Sequence, residues 1–102
     1  MDYKIIWSNN ALDDIDNIAN YISKDSNFYA SLVVTKIFEL ENIILSHPRA
    51  GRIVPEENNI NIREHFLYSY RIIYEILKDK IVIIAVIHGK QLLNNKITNR
   101  RN

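Results

Sequence analysis

The chain has no cysteine, and its 102 residues include only two glycines, two prolines and one tryptophan. Without thiols, disulfide scaffolds and cysteine-based zinc sites are excluded. No apolar run approaches the roughly 18–20 residues needed to cross a bilayer, so no membrane partner is expected. The opening Met1-Asp2-Tyr3-Lys4 lacks the basic and apolar blocks of a secretory signal, and a cytoplasmic location is the expectation. The three histidines, at 47, 65 and 88, are too scattered to suggest a metal site, and no cofactor is expected. Acidic residues also run out: none follows Asp79, whereas Lys80, Lys90, Lys96, Arg100 and Arg101 do.

Hydrophobic residues make up 47% of the chain, which suits a folded domain and argues against disorder. The length allows one domain with one core, expected over residues 1–93, with a basic tail at 94–102 that is disordered until bound. Residues 1–46 hold three basic and seven acidic side chains, a net −4, and residues 47–102 hold ten and five, a net +5. Such polarity suits a basic end that meets nucleic acid or an acidic partner, and it equally suits a solvated tail.

Tyr3–Trp7 is short and β-prone, and reads as a first strand. Ser8 is a good N-cap, and Asp13 and Asp14 fall near the positive end of the helix that follows. Ala11, Leu12, Ile15, Ile18, Ala19 and Ile22 recur at three- and four-residue steps, which predicts an amphipathic helix through Lys24. Asp25-Ser26-Asn27 breaks that pattern and caps a second helix, from about Phe28 to Ser46, which His47-Pro48 stops. So short a link makes the two an antiparallel hairpin. Pro48 to Asn59 holds both prolines and one glycine, and reads as a loop. Ile60–Phe66, Tyr68–Leu77 and Lys80–His88 are strand-like. The expected fold is α+β, in the order β-α-α-β-β-β, an antiparallel sheet with the helical hairpin packed on one face.

Strand alternation then sorts the side chains. With Lys78-Asp79 as a two-residue turn, Tyr74 faces Ile83 and Arg71 faces Val86. One face carries Tyr70, Ile72, Tyr74, Ile76, Ile81, Ile83, Ala85 and Ile87 and packs on the helices. Placing Ile60, Ile62 and Phe66 with that core face puts Arg63 and His65 beside Arg71 and His88 on the open one. There, Ile73, Val82, Ile84 and Val86 form an exposed apolar patch that a partner would cover.

The blocks Trp7-Ser8, Gly51-Arg52-Ile53-Val54-Pro55-Glu56, Asn61-Ile62-Arg63-Glu64, Tyr70-Arg71-Ile72-Ile73-Tyr74 and Ala85-Val86-Ile87-His88-Gly89 follow one another over residues 3 to 93. In order and spacing they resemble the ParE/RelE superfamily of toxins, the plasmid-stabilisation proteins of type II toxin–antitoxin systems. The resemblance implies growth inhibition, a cognate antitoxin whose C-terminal segment neutralises the toxin, and a homodimer or a toxin–antitoxin hetero-oligomer. It also implies one of two targets. ParE-like members block DNA gyrase; RelE-like members enter the ribosome and cleave mRNA without a metal.

For the ribonuclease branch the resemblance assigns Arg71 to the scissile phosphate, Arg63 to a further basic contact, His88 to proton donation and Glu56 to general base. Those groups would meet the need for a base, an acid and a cation around a 2′-hydroxyl attack. Arg71 serves equally as an ion-pair partner of Glu64 or Glu75, and His88 as the end of a strand. Arg49, Arg52 and Lys90 are candidates for substrate phosphate contacts. No Lys-rich second helix is present, and Gly89 stands where an aromatic would follow His88. The apolar-apolar-His strand ending matches ParE-like members. Gyrase inhibition is therefore the leading expectation, ahead of an mRNA endoribonuclease and of a decayed, non-toxic antitoxin-binding module.

Overall fold

A computed structural model describes residues 3–91, and the tail expected at 94–102 lies outside the described residues. The elements run β1 (Lys4–Trp7), α1 (Asn9–Ser23), α2 (Asn27–Ser46), a 3-10 turn (Pro48–Ala50), β2 (Arg52–Ile53), β3 (Ile62–Leu67), β4 (Tyr70–Ile76) and β5 (Lys80–His88). Both helices begin on a serine that leaves the helical region and whose hydroxyl accepts an orphan N–H. Ser8 takes that of Ala11 at 3.1 Å and Ser26 that of Tyr29 at 3.0 Å. At His47, φ −141° ends α2 one residue before Pro48.

The sheet has five strands in the order β1-β5-β4-β3-β2. Two features differ from the expected antiparallel meander. β1 runs parallel to β5, Lys4 facing Lys80 and Trp7 facing Ile83, because the helical hairpin carries the chain across the sheet before it returns. Arg52–Ile53, expected within a loop, pairs with Glu64 and Arg63 as a short edge strand. The α+β class and the helical hairpin stand as expected.

The sheet is apolar on both faces. On the helical side, Ala11 and Ile15 of α1 and Val33, Ile37 and Ile44 of α2 pack with Ile72, Tyr74, Ile76, Ile81, Ile83 and Val86. On the other side, Val54, Ile62, Ile73, Ile84, Ala85 and Ile87 form a second buried cluster. Val54 belongs to the connection from β2 to β3, so part of that connection lies over the sheet. The expected exposed patch does not exist: Ile73, Ile84 and Val86 are buried, the first two in the second cluster and Val86 under the helices.

The reason is one extra residue. Tyr74 faces Ile83, as the turn predicts, but Ile73 faces Ala85, so Ile84 is a bulge in β5. Beyond it every β5 side chain switches face. Val86 joins the helical side and Ala85 and Ile87 leave it, the reverse of strict alternation. The bulge is held by α1 and its cap. Ser8 Oγ donates to the Ile84 carbonyl at 3.2 Å, and Asp14 Oδ2 accepts the Val86 N–H at 2.9 Å.

Candidate functional site

The bulge decides which charged groups can meet. Arg71 faces Ile87, and Tyr70 faces His88. Neighbouring residues of a strand point to opposite faces. Arg71 therefore lies on the face of the second cluster and His88 on that of Tyr70, toward the helices. The expectation that both project from one open face is overturned. Arg63 also leaves that face, because it pairs with Tyr74, and so does His65, which pairs with Ile72. Phe66, expected in the core, faces Arg71 and is exposed. Ile62 is buried as expected, but in the second cluster. With both faces covered, an apolar residue on β3 does not mark the helical side.

What gathers around Arg71 is an ion-pair network that loops and strands build together. Its side chain is 5% exposed, and Nε donates to Glu64 Oε1 at 2.6 Å. Its two terminal nitrogens donate to Glu56 Oε2 and Oε1, each at 2.8 Å, a two-pronged carboxylate pair. One of them also donates to the Gln91 carbonyl at 3.1 Å. The other oxygen of Glu64 accepts Arg52 Nε at 2.8 Å, and the Arg52 guanidinium carbon lies 5.2 Å from the Phe66 ring centre. Two cations and two carboxylates thus balance. The hydrogen bonds it donates to Glu56 hold the Arg71 guanidinium pKa well above its ordinary range; burial opposes that rise and Glu64 adds to it.

Chemically this is a clamp. It ties β4 to β3, to the β2–β3 connection through Glu56, and to the turn after β5 through Gln91. Freeing Arg71 for a phosphate would leave the fully buried Glu64 with the exposed Arg52 alone, at a cost of roughly 3–5 kcal/mol. Both Glu56 oxygens accept from Arg71, so a general base there would first have to break the same pair.

The remaining candidates are dispersed. Arg63 donates to the carbonyls of Ile60, Arg49 and Gly51 at 2.7, 2.9 and 3.2 Å, fastening the turn before β2 to β3. Arg49 donates to Asn61 Oδ1 at 2.9 Å. Lys90 is exposed, and its backbone N–H donates to His88 Nδ1 at 3.3 Å, so the neutral ring carries its proton on Nε2. His88 itself is exposed, edge-on to Tyr70 at 6.1 Å.

Three residues matter more than the sequence suggested. Glu64, named from the sequence as an ion-pair partner of Arg71, is that partner, but its complete burial is unreadable without knowing that both faces are covered. Asp14 sits at the three- and four-residue spacing of the apolar stripe of α1, between Ala11 and Ile18, and that polar intrusion was the available signal. Tyr68, in the β3–β4 turn, has φ 53°, a left-handed value unusual for an aromatic residue.

The sequence matches the family model described as ParE toxin of type II toxin–antitoxin system, parDE, over residues 5–93. No curated protein sequence matches it. Among solved structures, it is similar to a chain of the chromosomal ParDE toxin–antitoxin system of Pseudomonas aeruginosa. There the TM-score is 0.72 at 18% identity, covering 86% of this chain and 97% of that one. A chain of the RelBE2 toxin–antitoxin complex of Mycobacterium tuberculosis gives 0.60 at 17%, covering 86% and 99%. A double mutant of the Escherichia coli toxin RelE in the free state gives 0.64 at 17%, covering 98% and 94%.

Proposed function

This chain belongs to the ParE toxin family of type II toxin–antitoxin systems, and from that premise we propose that it acts by binding, inhibiting DNA gyrase while free and lying harmless in complex with a cognate antitoxin. The observation that carries this reading is the occupancy of Arg71. Its guanidinium, the cation a phosphoryl-transfer site needs most, is spent on Glu56 and Glu64, while His88 occupies the opposite face of the sheet. Among the described residues, a base, an acid and a free cation are not assembled around one scissile bond. A binding toxin needs no such convergence.

Two of the similar structures are described as a toxin–antitoxin system and a toxin–antitoxin complex, which supports a protein partner of the same kind for this chain. Both branches of the superfamily appear among those structures, so the fold alone favours neither target. The choice of gyrase rests on the state of Arg71 and on the ParE family match.

Purified toxin, separated from its antitoxin, is expected to stop ATP-dependent supercoiling of relaxed plasmid by gyrase. Unaltered supercoiling at a large molar excess would remove gyrase as the target. Growth unimpaired on induction in a host without the antitoxin would instead identify a decayed module that only binds.

A further inference from the structure

At the end of the sheet away from Arg71 and His88, the 3-10 turn, the start of β3 and the β4–β5 turn border a pocket of about 440 Å³. Its lining is Tyr3, Arg49, Asn61, Ile76, Leu77 and Lys78. The volume lies within the roughly 300–1,000 Å³ of ordinary ligand sites. Ile76 is five residues beyond Arg71 on β4, on the order of 16 Å along the strand. The pocket is therefore separate from the ion-pair clamp.

Its charge is of one sign. Arg49 and Lys78 line it, and no carboxylate does. Among the described residues neither cation is ion-paired, whereas Arg52 and Arg71 both are. Lys4 and Lys80 stand opposite each other in the register of β1 and β5 at this same end, and outweigh Asp79 in the turn before Lys80. Like charges placed so close destabilise one another unless an anion lies near them.

Arg49 is also held in place. Its Nη2 donates to Asn61 Oδ1 at 2.9 Å, and its carbonyl accepts from Arg63 at 2.9 Å. Asn61 is fixed in turn: its N–H donates to Asn59 Oδ1 at 2.8 Å, and its carbonyl accepts the Ile76 N–H at 2.8 Å. That leaves the guanidinium oriented, with donors to spare beyond the one spent on Asn61. A cation positioned beforehand loses little freedom on taking up an anion.

The rest of the lining is largely apolar. Tyr3 packs on the core cluster, Ile76 is buried, and Leu77 is exposed. A bare anion would leave that surface wet. A phosphate carried on a flat nucleoside uses both parts, since an aromatic ring beside cations suits a base and its phosphate together. Two cations also favour a terminal phosphate, which carries between about 1.5 and 2 negative charges at neutral pH. A carboxylate, or a phosphate inside a nucleic-acid strand, brings only one.

We propose that this pocket is a site for a free nucleoside monophosphate, with Arg49 and Lys78 on the phosphate and Tyr3, Ile76 and Leu77 against the nucleoside. The assignment holds whichever target the toxin has.

The test uses the full-length protein and follows the Arg49 side-chain N–H and Tyr3 ring signals by NMR. The probes are adenosine monophosphate, adenosine, inorganic phosphate, N-acetyl-glutamate amide and a single-stranded hexanucleotide without terminal phosphates. The expected result is saturable shifts with adenosine monophosphate, which binds at least about twofold tighter than any other probe. Lys78→Gln lies in an exposed turn, so it is expected to stay folded and weaken that binding about two- to fivefold. Lys24→Gln removes the same charge from the far end of the hairpin and is expected to leave binding unchanged. Any other probe binding as tightly as adenosine monophosphate, no shift with it, or equal losses from Lys24→Gln and Lys78→Gln would each overturn the assignment.

Discussion

Arg71 and Glu56, fifteen residues apart in sequence, meet through two parallel hydrogen bonds of 2.8 Å each, and that pair joins the centre of the sheet to the connection lying over it. Because Glu64 behind it is wholly buried while Glu56 is 20% exposed, the two carboxylates are not equivalent. Arg71→Ala is expected to cost about 3–5 kcal/mol of unfolding free energy, since it leaves Glu64 buried beside a single exposed arginine. Glu56→Gln should cost less, on the order of 1–2 kcal/mol, because water can reach the vacated prong. Urea denaturation of both variants checks the order. An Arg71→Ala protein as stable as the parent would show that the clamp contributes nothing.

The bulge that sends His88 to the far face depends on Asp14. Removing its carboxylate leaves the Val86 N–H, now accepted at 2.9 Å, without that partner. Asp14→Ala is therefore expected to cost about 1–3 kcal/mol, and its effect should be greatest on amide exchange at Val86 and its neighbours. Uniform loss of protection along β4 and β5 would argue against a local role.

How far the sequence reaches is visible in these same residues. Ser8, Ser26 and His47-Pro48 located both helices, because capping and the pre-proline restriction are local. The Lys78-Asp79 turn gave the right partners as far as Tyr74 and Ile83. Past Ile83 the prediction fails, since a bulge stabilised by a hydroxyl and a carboxylate from 76 and 72 residues away leaves no local mark in the sequence. The same blindness misplaced Arg63, His65 and Phe66. Alternation tells inside from outside only where one face is wet, and here both are covered.

Gly51 is fixed by contact. A Cβ there would run into the Tyr74 hydroxyl and come within 3.0 Å of the Glu64 carbonyl. That hydroxyl donates to the Pro48 carbonyl at 2.6 Å, so it cannot swing away without losing a partner. Gly51→Ala is expected to destabilise by about 1–3 kcal/mol. Adding Tyr74→Phe should recover part of that loss in a double-mutant cycle; strictly additive costs would contradict the clash.

Burial holds the His65 imidazole pKa below its ordinary range; Nε2 is a buried atom without a hydrogen-bond partner among the described residues, and the ring stacks beside Tyr74 at 5.8 Å. The folded state thus takes up a proton less readily than the unfolded chain, whose histidine titrates near 6.5. Stability is full above that value and falls as the pH drops through it, by at most about 1.4 kcal/mol per pH unit from this one group. Thermal melts of the parent and of His65→Leu between pH 5 and 8 are expected to diverge on the acid side. Parallel curves would show that His65 has no part in the acid response.

The central claim is that Arg71 is committed to the fold, paired with Glu56 and Glu64, while His88 lies on the opposite face of the sheet. Mapping of mRNA 5′ ends in a translating extract supplied with the purified toxin tests it most directly. The account predicts no new ends at toxin concentrations that halt gyrase. New cleavages that appear with the parent protein and vanish with a folded His88→Ala variant would contradict it.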